Sequence, residues 1–361
     1  MPFEILDLNF IVADFQFLKN PVFHNWVILA PRRAKRPDVG NGTEPVCPFC
    51  PGREGDEQEV YRVSKSEYQS TKLETNPNDQ NTKSKKNSNL ENSNLKNSGD
   101  WLVRVLPNRF PFAPIHEVII HSPDHHANFG ELPVSQVELI LQTYRNRYKA
   151  HQKKGEVYIF HNRGEAAGES LPHPHTQLAV VPFDVKMDIP RLDPFASPGF
   201  APVPQTVSEM KSRGARSGFA RQKRETQSPM VETEHFYLFC PKTSQWPDEV
   251  WVAPKNRGRA FGEITDDEIN DLAGTLNQLI RIFDLRHGHE FPYNFYIYPG
   301  GDWYLRLIPR QKRLGGFEVG TGIFVNTQDP EETLFFIKEH FAHPDEEKIR
   351  TQHQAEYHKS V

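Results

Sequence analysis

Apolar residues recur at helical spacing in two stretches of the chain. The first carries Val137, Ile140, Leu141, Tyr144 and Tyr148, and the second Ile269, Leu272, Ala273, Leu276, Leu279, Ile280 and Phe283. Steps of three and four place each set on one stripe of an α-helix, which needs a partner to bury it. Each stretch opens on a capping-box pattern, Ser135 with Glu138 and Thr265 with Glu268, which satisfies the first unpaired N–H groups of a helix. Shorter runs rich in β-branched and aromatic residues predict strands at 25–30 (NWVILA), 101–106 (WLVRVL), 156–160, 177–181, 295–298 and 303–308.

The order of these elements repeats. Residues 117–140 (EVIIHSPDHHANFGELPVSQVELI) align without gaps on 249–272 (EVWVAPKNRGRAFGEITDDEINDL), with identities at Glu117/Glu249, Val118/Val250, Phe129/Phe261, Gly130/Gly262 and Glu131/Glu263. Each copy reads strand, polar loop, helix, and two strands follow each helix. The pattern predicts an α+β fold built from a duplicated unit, an antiparallel sheet with flanking helices. The halves are expected at 1–190 and 231–361, joined by a Pro-, Ser- and Arg-rich connector at 191–230. Residues 65–99, dominated by Lys, Asn, Ser and Thr, bury too little apolar area to fold and are expected to be a disordered insertion.

The halves are chemically unequal. Aligning Val180-Val181-Pro182 with Leu307-Ile308-Pro309 sets Gly300, Asp302 and Tyr304 opposite His173, His175 and Gln177, and the repeat sets Arg257 opposite His125. At strand spacing His173, His175 and Gln177 point to one face, with Pro174 fixing the backbone between the rings. An imidazole there can bind a metal, move a proton or attack phosphorus; a pair of hydrogen-bonded histidines at a strand edge is the plain alternative. Cys47-Pro48-Phe49-Cys50 reads as half a zinc site or as a redox pair, and the prolines crowding it favour metal, with histidines or carboxylates completing the set. Arg32, Arg33, Lys35 and Arg36 form either a solvated turn or a phosphate clamp, since guanidinium forks match phosphate oxygens in pairs.

Composition narrows the class. The chain has 361 residues, a net charge of −4 and three cysteines, and a mean hydropathy of −0.67. That length allows two domains. The charge gives no reason to expect a nucleic-acid polymer, the absence of a long apolar run argues against a membrane span, and scarce cysteine suits a reducing cytosol. Met1 to Phe17 lacks a basic n-region, so no signal peptide is expected and the location is expected to be cytoplasmic.

Taken in order, the motifs resemble the galactose-1-phosphate uridylyltransferase family, the branch of the histidine-triad superfamily with two fused motifs. The resemblance rests on Arg33-Ala34-Lys35-Arg36-Pro37, Cys47-Pro48-Phe49-Cys50, Asn108-Arg109-Phe110-Pro111, Ser122-Pro123-Asp124-His125, Asn162-Arg163-Gly164, Gly168-Glu169-Ser170 and His173-Pro174-His175-Thr176-Gln177. In the second half it covers Trp246-Pro247-Asp248-Glu249 and Gly316 to Gly322 (GFEVGTG).

The resemblance implies two histidine-triad-like halves, of which only the first is catalytic. It also implies one structural zinc on Cys47, Cys50, His125 and His173. His175 is implied as the nucleophile that takes a nucleotidyl group from a nucleotide sugar, with a backbone carbonyl fixing its tautomer. Ser170 and Gln177 are implied on phosphoryl oxygens, Asn108 and Asn162 on the ligand, and Arg33 and Arg36 on phosphate. A sugar 1-phosphate is the implied acceptor, and a homodimer is implied because such arginines can reach a partner's site.

The family's second metal, held by a glutamate and three histidines, is not expected. Glu249 matches the glutamate, but Tyr298, Asp302 and Tyr304 stand at or near the histidine positions. UMP exchange between UDP-glucose and a hexose 1-phosphate is the first functional reading. Phosphorolysis or adenylyl transfer on ADP-sugars or dinucleoside polyphosphates is the second, and a zinc-stabilised nucleotide-binding protein without turnover the third. Lys, Tyr and Glu, which many members place in the segment 316–322, are replaced by Gly316, Thr321 and Gly322, and this bears on base and sugar preference.

Overall fold

A computed structural model of the chain describes residues 15–20, 25–35, 47–56, 58–66, 100–192, 230–289 and 291–351. Arg36, residues 67–99 of the expected insertion and residues 193–229 of the connector lie outside the described residues.

Strands β1 (Gln16–Lys19) and β2 (Trp26–Leu29) pair with each other apart from the rest. Ten further strands form one antiparallel sheet. The first half contributes β3 (Tyr61–Ser64), β4 (Trp101–Pro107), β5 (Ile115–Ile120), β6 (Glu156–Arg163) and β7 (His175–Val181). The second contributes β8 (Val231–Glu232), β9 (Phe236–Phe239), β10 (Val250–Pro254), β11 (Tyr293–Ile297) and β12 (Leu305–Pro309). Their order is β3-β4-β5-β7-β6-β11-β12-β10-β9-β8. Read inward from either edge the succession is the same, so the duplication closes on itself at the seam between β6 and β11.

Helix α1 (Val134–His151) connects β5 to β6, and α2 (Asp266–His287) connects β10 to β11. Both predicted apolar stripes are buried in a core shared with Val157, Ile159, Leu178, Phe295, Leu305 and Leu307. Strand β6 alternates half-buried and buried positions along its length, because successive side chains go to opposite faces and every second one meets the helices. Each fully buried aliphatic or aromatic side chain contributes about 1.5–3 kcal/mol of transfer free energy, so the helix-covered face holds the halves together. Two short helices follow β12, α3 (Gly316–Thr321) and α4 (Pro330–His340); Phe336 of α4 stacks on Phe283 of α2 at 6.2 Å.

Two local expectations are corrected. Thr265 and Glu268 form the expected capping box on α2. In the first copy Pro133 is the N-cap, Ser135 lies inside α1, and Glu138 accepts a hydrogen bond from Asn270 of α2 instead. Proline fits there because its missing N–H costs nothing ahead of a helix.

The gapless alignment is also out of register on the strands. Val180 pairs with Ile115, whereas its counterpart Leu307 pairs with Val250. Val250 therefore stands in the place of Ile115, three residues upstream of Val118. An odd slip reverses the faces: Glu117 turns to the helices and bonds Arg147 and His151, while Glu249 turns away and bonds Trp251 and Arg306. The residues gained by the first copy lie between strand and helix, in the connection that carries His125.

Candidate functional site

Pro174 has no N–H to give a ladder, and β7 begins directly after it, at His175. Strand alternation therefore covers His175 and Gln177, while His173 sits in the approach and is placed by a different contact. Its Nε2–H donates to the Ser122 carbonyl at 2.9 Å. That bond turns Nδ1, with its lone pair, toward the cysteines: Nδ1 is 3.7 Å from Sγ of both Cys47 and Cys50, and Cys50 Sγ is 3.1 Å from His125 Nδ1. The four ligand atoms lie within 4.8 Å of one another.

Two thiols and two imidazoles converging in this way fit a metal ion such as zinc in a closed tetrahedral set, and the Ser122 carbonyl supplies the outer bond that orients a ligating histidine. Burial, then the neighbouring Cys47, pushes the Cys50 thiol up to about 11, and burial lowers His173 to about 4. A bound divalent cation would reverse the shift on Cys50, since a coordinating thiol gives up its proton. Phe49, between the cysteines, meets the rings of His173 and His175 edge-on at 6.0 and 5.3 Å and ties the knuckle to the strand.

His175 is oriented by its own backbone approach. A carbonyl can only accept, so the 2.8 Å contact between Nδ1 and the His173 carbonyl places the proton on Nδ1 and the lone pair on Nε2. From behind, His161 Nδ1–H donates to the His175 carbonyl at 2.9 Å. His161 is itself buried between the sheet and the helices, and burial, followed by His175, lowers it to about 3, so it stays neutral.

The same logic fixes two amides. Phe112 N–H donates to His116 Nδ1 at 3.3 Å, so His116 Nε2–H donates to Gln177 Oε1 at 2.9 Å and the Gln177 NH₂ is left as the outward donor. Asn294 gives its NH₂ to the Ala167 carbonyl and to Asn162 Oδ1, both at 2.8 Å, so Asn162 also turns its NH₂ outward. Asn162 pairs across the seam with Asn294, and Gln177 pairs with Phe160 on β6. By alternation the Asn162, Gln177 and His175 side chains share one face.

This geometry can be set beside known proteins. Residues 16–180 match the model of the galactose-1-phosphate uridyl transferase N-terminal domain. The chain is 26% identical over 373 residues to the ADP-glucose phosphorylase of Arabidopsis thaliana, covering 89% of this chain and 92% of that protein. It is 26% identical over 351 residues to the galactose-1-phosphate uridylyltransferase of Thermotoga maritima, covering 89% and 96%. By these matches the chain is similar to the galactose-1-phosphate uridylyltransferase family. The fold agrees: a uridylyltransferase structure superposes with a TM-score of 0.60 at 20% identity, covering 90% of this chain and 97% of that one. The Arabidopsis thaliana ADP-glucose phosphorylase with bound ADP-glucose gives 0.57 at 24%, covering 90% and 99%.

Asn108 Nδ2 lies 3.4 Å from Gln177 Oε1, and its Oδ1 accepts from Phe110 N–H at 2.8 Å. Arg33, in the short helix Pro31–Lys35, donates to the Phe110 carbonyl at 2.5 Å and covers the Phe112 ring at 4.9 Å. It is thus brought to the loop that carries Asn108. Ser170 is half-buried between His173 and Gly168, whose φ of 84° makes the turn that only glycine takes without strain.

His116 and His161 escape sequence reading. Only alternation from Val118 and Ile120 points to His116, and nothing local marks His161. Glu249, the match to the family's second-metal glutamate, receives both Arg306 Nε and Nη2, at 2.8 and 2.9 Å, and the Trp251 indole N–H at 2.7 Å. Among the described residues no helix is long and apolar enough to cross a membrane.

Proposed function

We propose that this protein is a nucleotidyltransferase that carries a nucleoside monophosphate on His175. The observation that carries this is the 2.8 Å Nδ1–H bond to the His173 carbonyl, which aims the Nε2 lone pair at the face where Gln177 and Asn162 present N–H donors. Nε2 attacks the α-phosphorus of a nucleoside diphosphate sugar. The bond to the bridging oxygen breaks, and the sugar phosphate leaves with the electron pair. The ring gains positive charge as the N–P bond forms, which strengthens the Nδ1–H bond to the carbonyl. Gln177, Asn162, Asn108, Ser170, Arg33 and Arg36 are the proposed contacts to phosphoryl oxygens and ligand. An oxygen of the acceptor phosphate then attacks the same phosphorus and restores neutral His175. Zinc on Cys47, Cys50, His125 and His173 would supply structure, holding the approach to His175 in place.

UMP exchange between UDP-glucose and a hexose 1-phosphate is the first donor–acceptor pair. Phosphorolysis of ADP-glucose is favoured by the segment GFEVGTG at 316–322 and by the Arabidopsis relative. A cytoplasmic location and a homodimer are part of the proposal, the homodimer supported by the apolar segment after β12, where Phe317, Val319 and Ile323 are 56%, 74% and 60% exposed. The test is incubation with UDP-glucose and ADP-glucose labelled at the α-phosphorus, without acceptor, followed by mapping of the label. Uridylate or adenylate on His175 identifies the donor; no label with either overturns the covalent reading.

A further inference from the structure

Most arginines that go inside this protein are matched to carboxylates, Arg163 on β6 being an exception whose Nε is buried without a hydrogen-bond partner. Arg147 meets Glu117, Arg286 meets Asp248 and Arg306 meets Glu249. Arg310, directly after β12, is different. Its Nη1 donates to Asn294 Oδ1 at 2.9 Å and its guanidinium lies 4.5 Å over the Trp246 ring. Its Nε is buried without a hydrogen-bond partner, and among the described residues no carboxylate comes within ion-pair distance of it. A half-buried cation held by an amide and a ring, with a donor to spare, is incomplete without an anion.

Its position says which anion. Asn294 faces Asn162 across the seam and Ile308 on β12, so the bonded chain Asn162–Asn294–Arg310 runs along the face that carries His175. With strands β7, β6 and β11 in succession, Asn294 lies two strand spacings from His175, about 10 Å. In-line displacement at the α-phosphorus puts the leaving oxygen on the side away from Nε2, so the outgoing phosphoryl group is carried away from β7. A planar guanidinium with free N–H groups suits its oxygens, and the Asn294 and Trp246 contacts fix the plane in advance.

We propose that Arg310 binds the phosphoryl group of the sugar phosphate or inorganic phosphate that leaves and attacks at His175. This rests on the nucleotidyl-transfer reading above, but its test needs no turnover and so can fail separately. Binding of glucose 1-phosphate and of inorganic phosphate is measured by calorimetry on the wild type and on Arg310→Met, which keeps bulk against Trp246; UMP and AMP, which carry the α-phosphate alone, are the controls. Affinity for at least one of the two phosphate probes should fall tenfold or more, with nucleotide binding within twofold of wild type, and the probe affected names the acceptor. Unchanged affinity for both probes, or equal losses for probes and nucleotides, overturns the proposal. Should Arg310→Met not fold, Arg310→Lys carries the same comparison, since lysine keeps the charge and loses the fork: selective loss of phosphate affinity supports the assignment, and equal affinity overturns it.

Discussion

The two halves meet in one sheet at β6 and β11, yet the ends of their equivalent strands hold opposite chemistry. In the first half the approach to β7 places His173 against two cysteines and turns His175 outward on the His173 carbonyl. In the second, Asp302, which stands opposite His175 in the alignment, is bonded by the fork of Arg257 and by the Gly258 N–H. Glu249 is likewise closed by Arg306 and Trp251. At this strand entrance one copy sets imidazoles beside two cysteines, and the other sets a guanidinium–carboxylate pair. On the proposed reading, a duplicated fold needs only one strand entrance to do chemistry, and its partner can be spent on rigidity.

His175→Ala should give the largest effect. Transfer should fall by at least about a thousandfold, with folding and metal content near wild type, because His175 is not among the four converging ligands. With one attacking group per chain, initial rates with varied donor at several acceptor concentrations should give parallel lines, and donor should exchange with its released sugar phosphate without acceptor. Retention of more than a few per cent of activity, or intersecting lines without exchange, would mean that transfer does not pass through this histidine.

Removing a ligand of the knuckle should come next. Cys50→Ser should take bound zinc from about one equivalent per chain toward none and lower stability by several kcal/mol, since metal-binding free energy is folding free energy at such a site. Activity should fall with it, through Phe49 and His173. Elemental analysis that finds the same metal content in variant and wild type would place the ion elsewhere.

In the second half, Arg306→Met should cost about 3–5 kcal/mol, the penalty for leaving a buried carboxylate without its counter-charge. Glu249 is only 2% exposed. Adding Glu249→Gln should recover much of that loss, because the charge then disappears together with its partner. A double variant no more stable than Arg306→Met would show that packing of Arg306 on Trp251, at 5.4 Å, matters more than charge.

What could be read in the sequence divides along physical lines. The α1 and α2 stripes were legible because an amphipathic helix writes its burial at short range, and all the residues named from spacing are buried. The Thr265 box was legible for the same reason, whereas the Ser135 box was misread because Pro133 had already ended the turn. Register was not legible, since Val250 and Ile115 become equivalent only through their partners on β12 and β7. The histidine and cysteine motifs carried a family pattern. His116, His161 and Arg310 carried none, because each acts through a strand or loop remote in the chain: Gln177, the His175 carbonyl and Asn294.

The smallest effect should come from Asp302→Asn, and it bears most directly on the inequality of the halves. Asp302 has a φ of 67°, a region where Asn and Asp are among the few tolerated side chains, so the substitution changes charge with little change of backbone preference. Asn can still accept from Gly258 N–H. What is lost is the ion pair with Arg257, whose side chains are 19% and 23% exposed, and at that exposure the cost should be about 1 kcal/mol. The hydrogen bond from Arg257, opposed by partial burial, holds the Asp302 carboxyl below its usual range. A carboxyl depressed in the folded state adds stability that is present above the unfolded value, about pH 4, and fades as the pH falls further. Wild type and Asp302→Asn should therefore differ in Tm at neutral pH and converge below about pH 4, while their transfer rates at neutral pH stay within twofold. A tenfold loss of rate in Asp302→Asn would give the second strand entrance a part in the chemistry and end the division between a reactive half and a paired one.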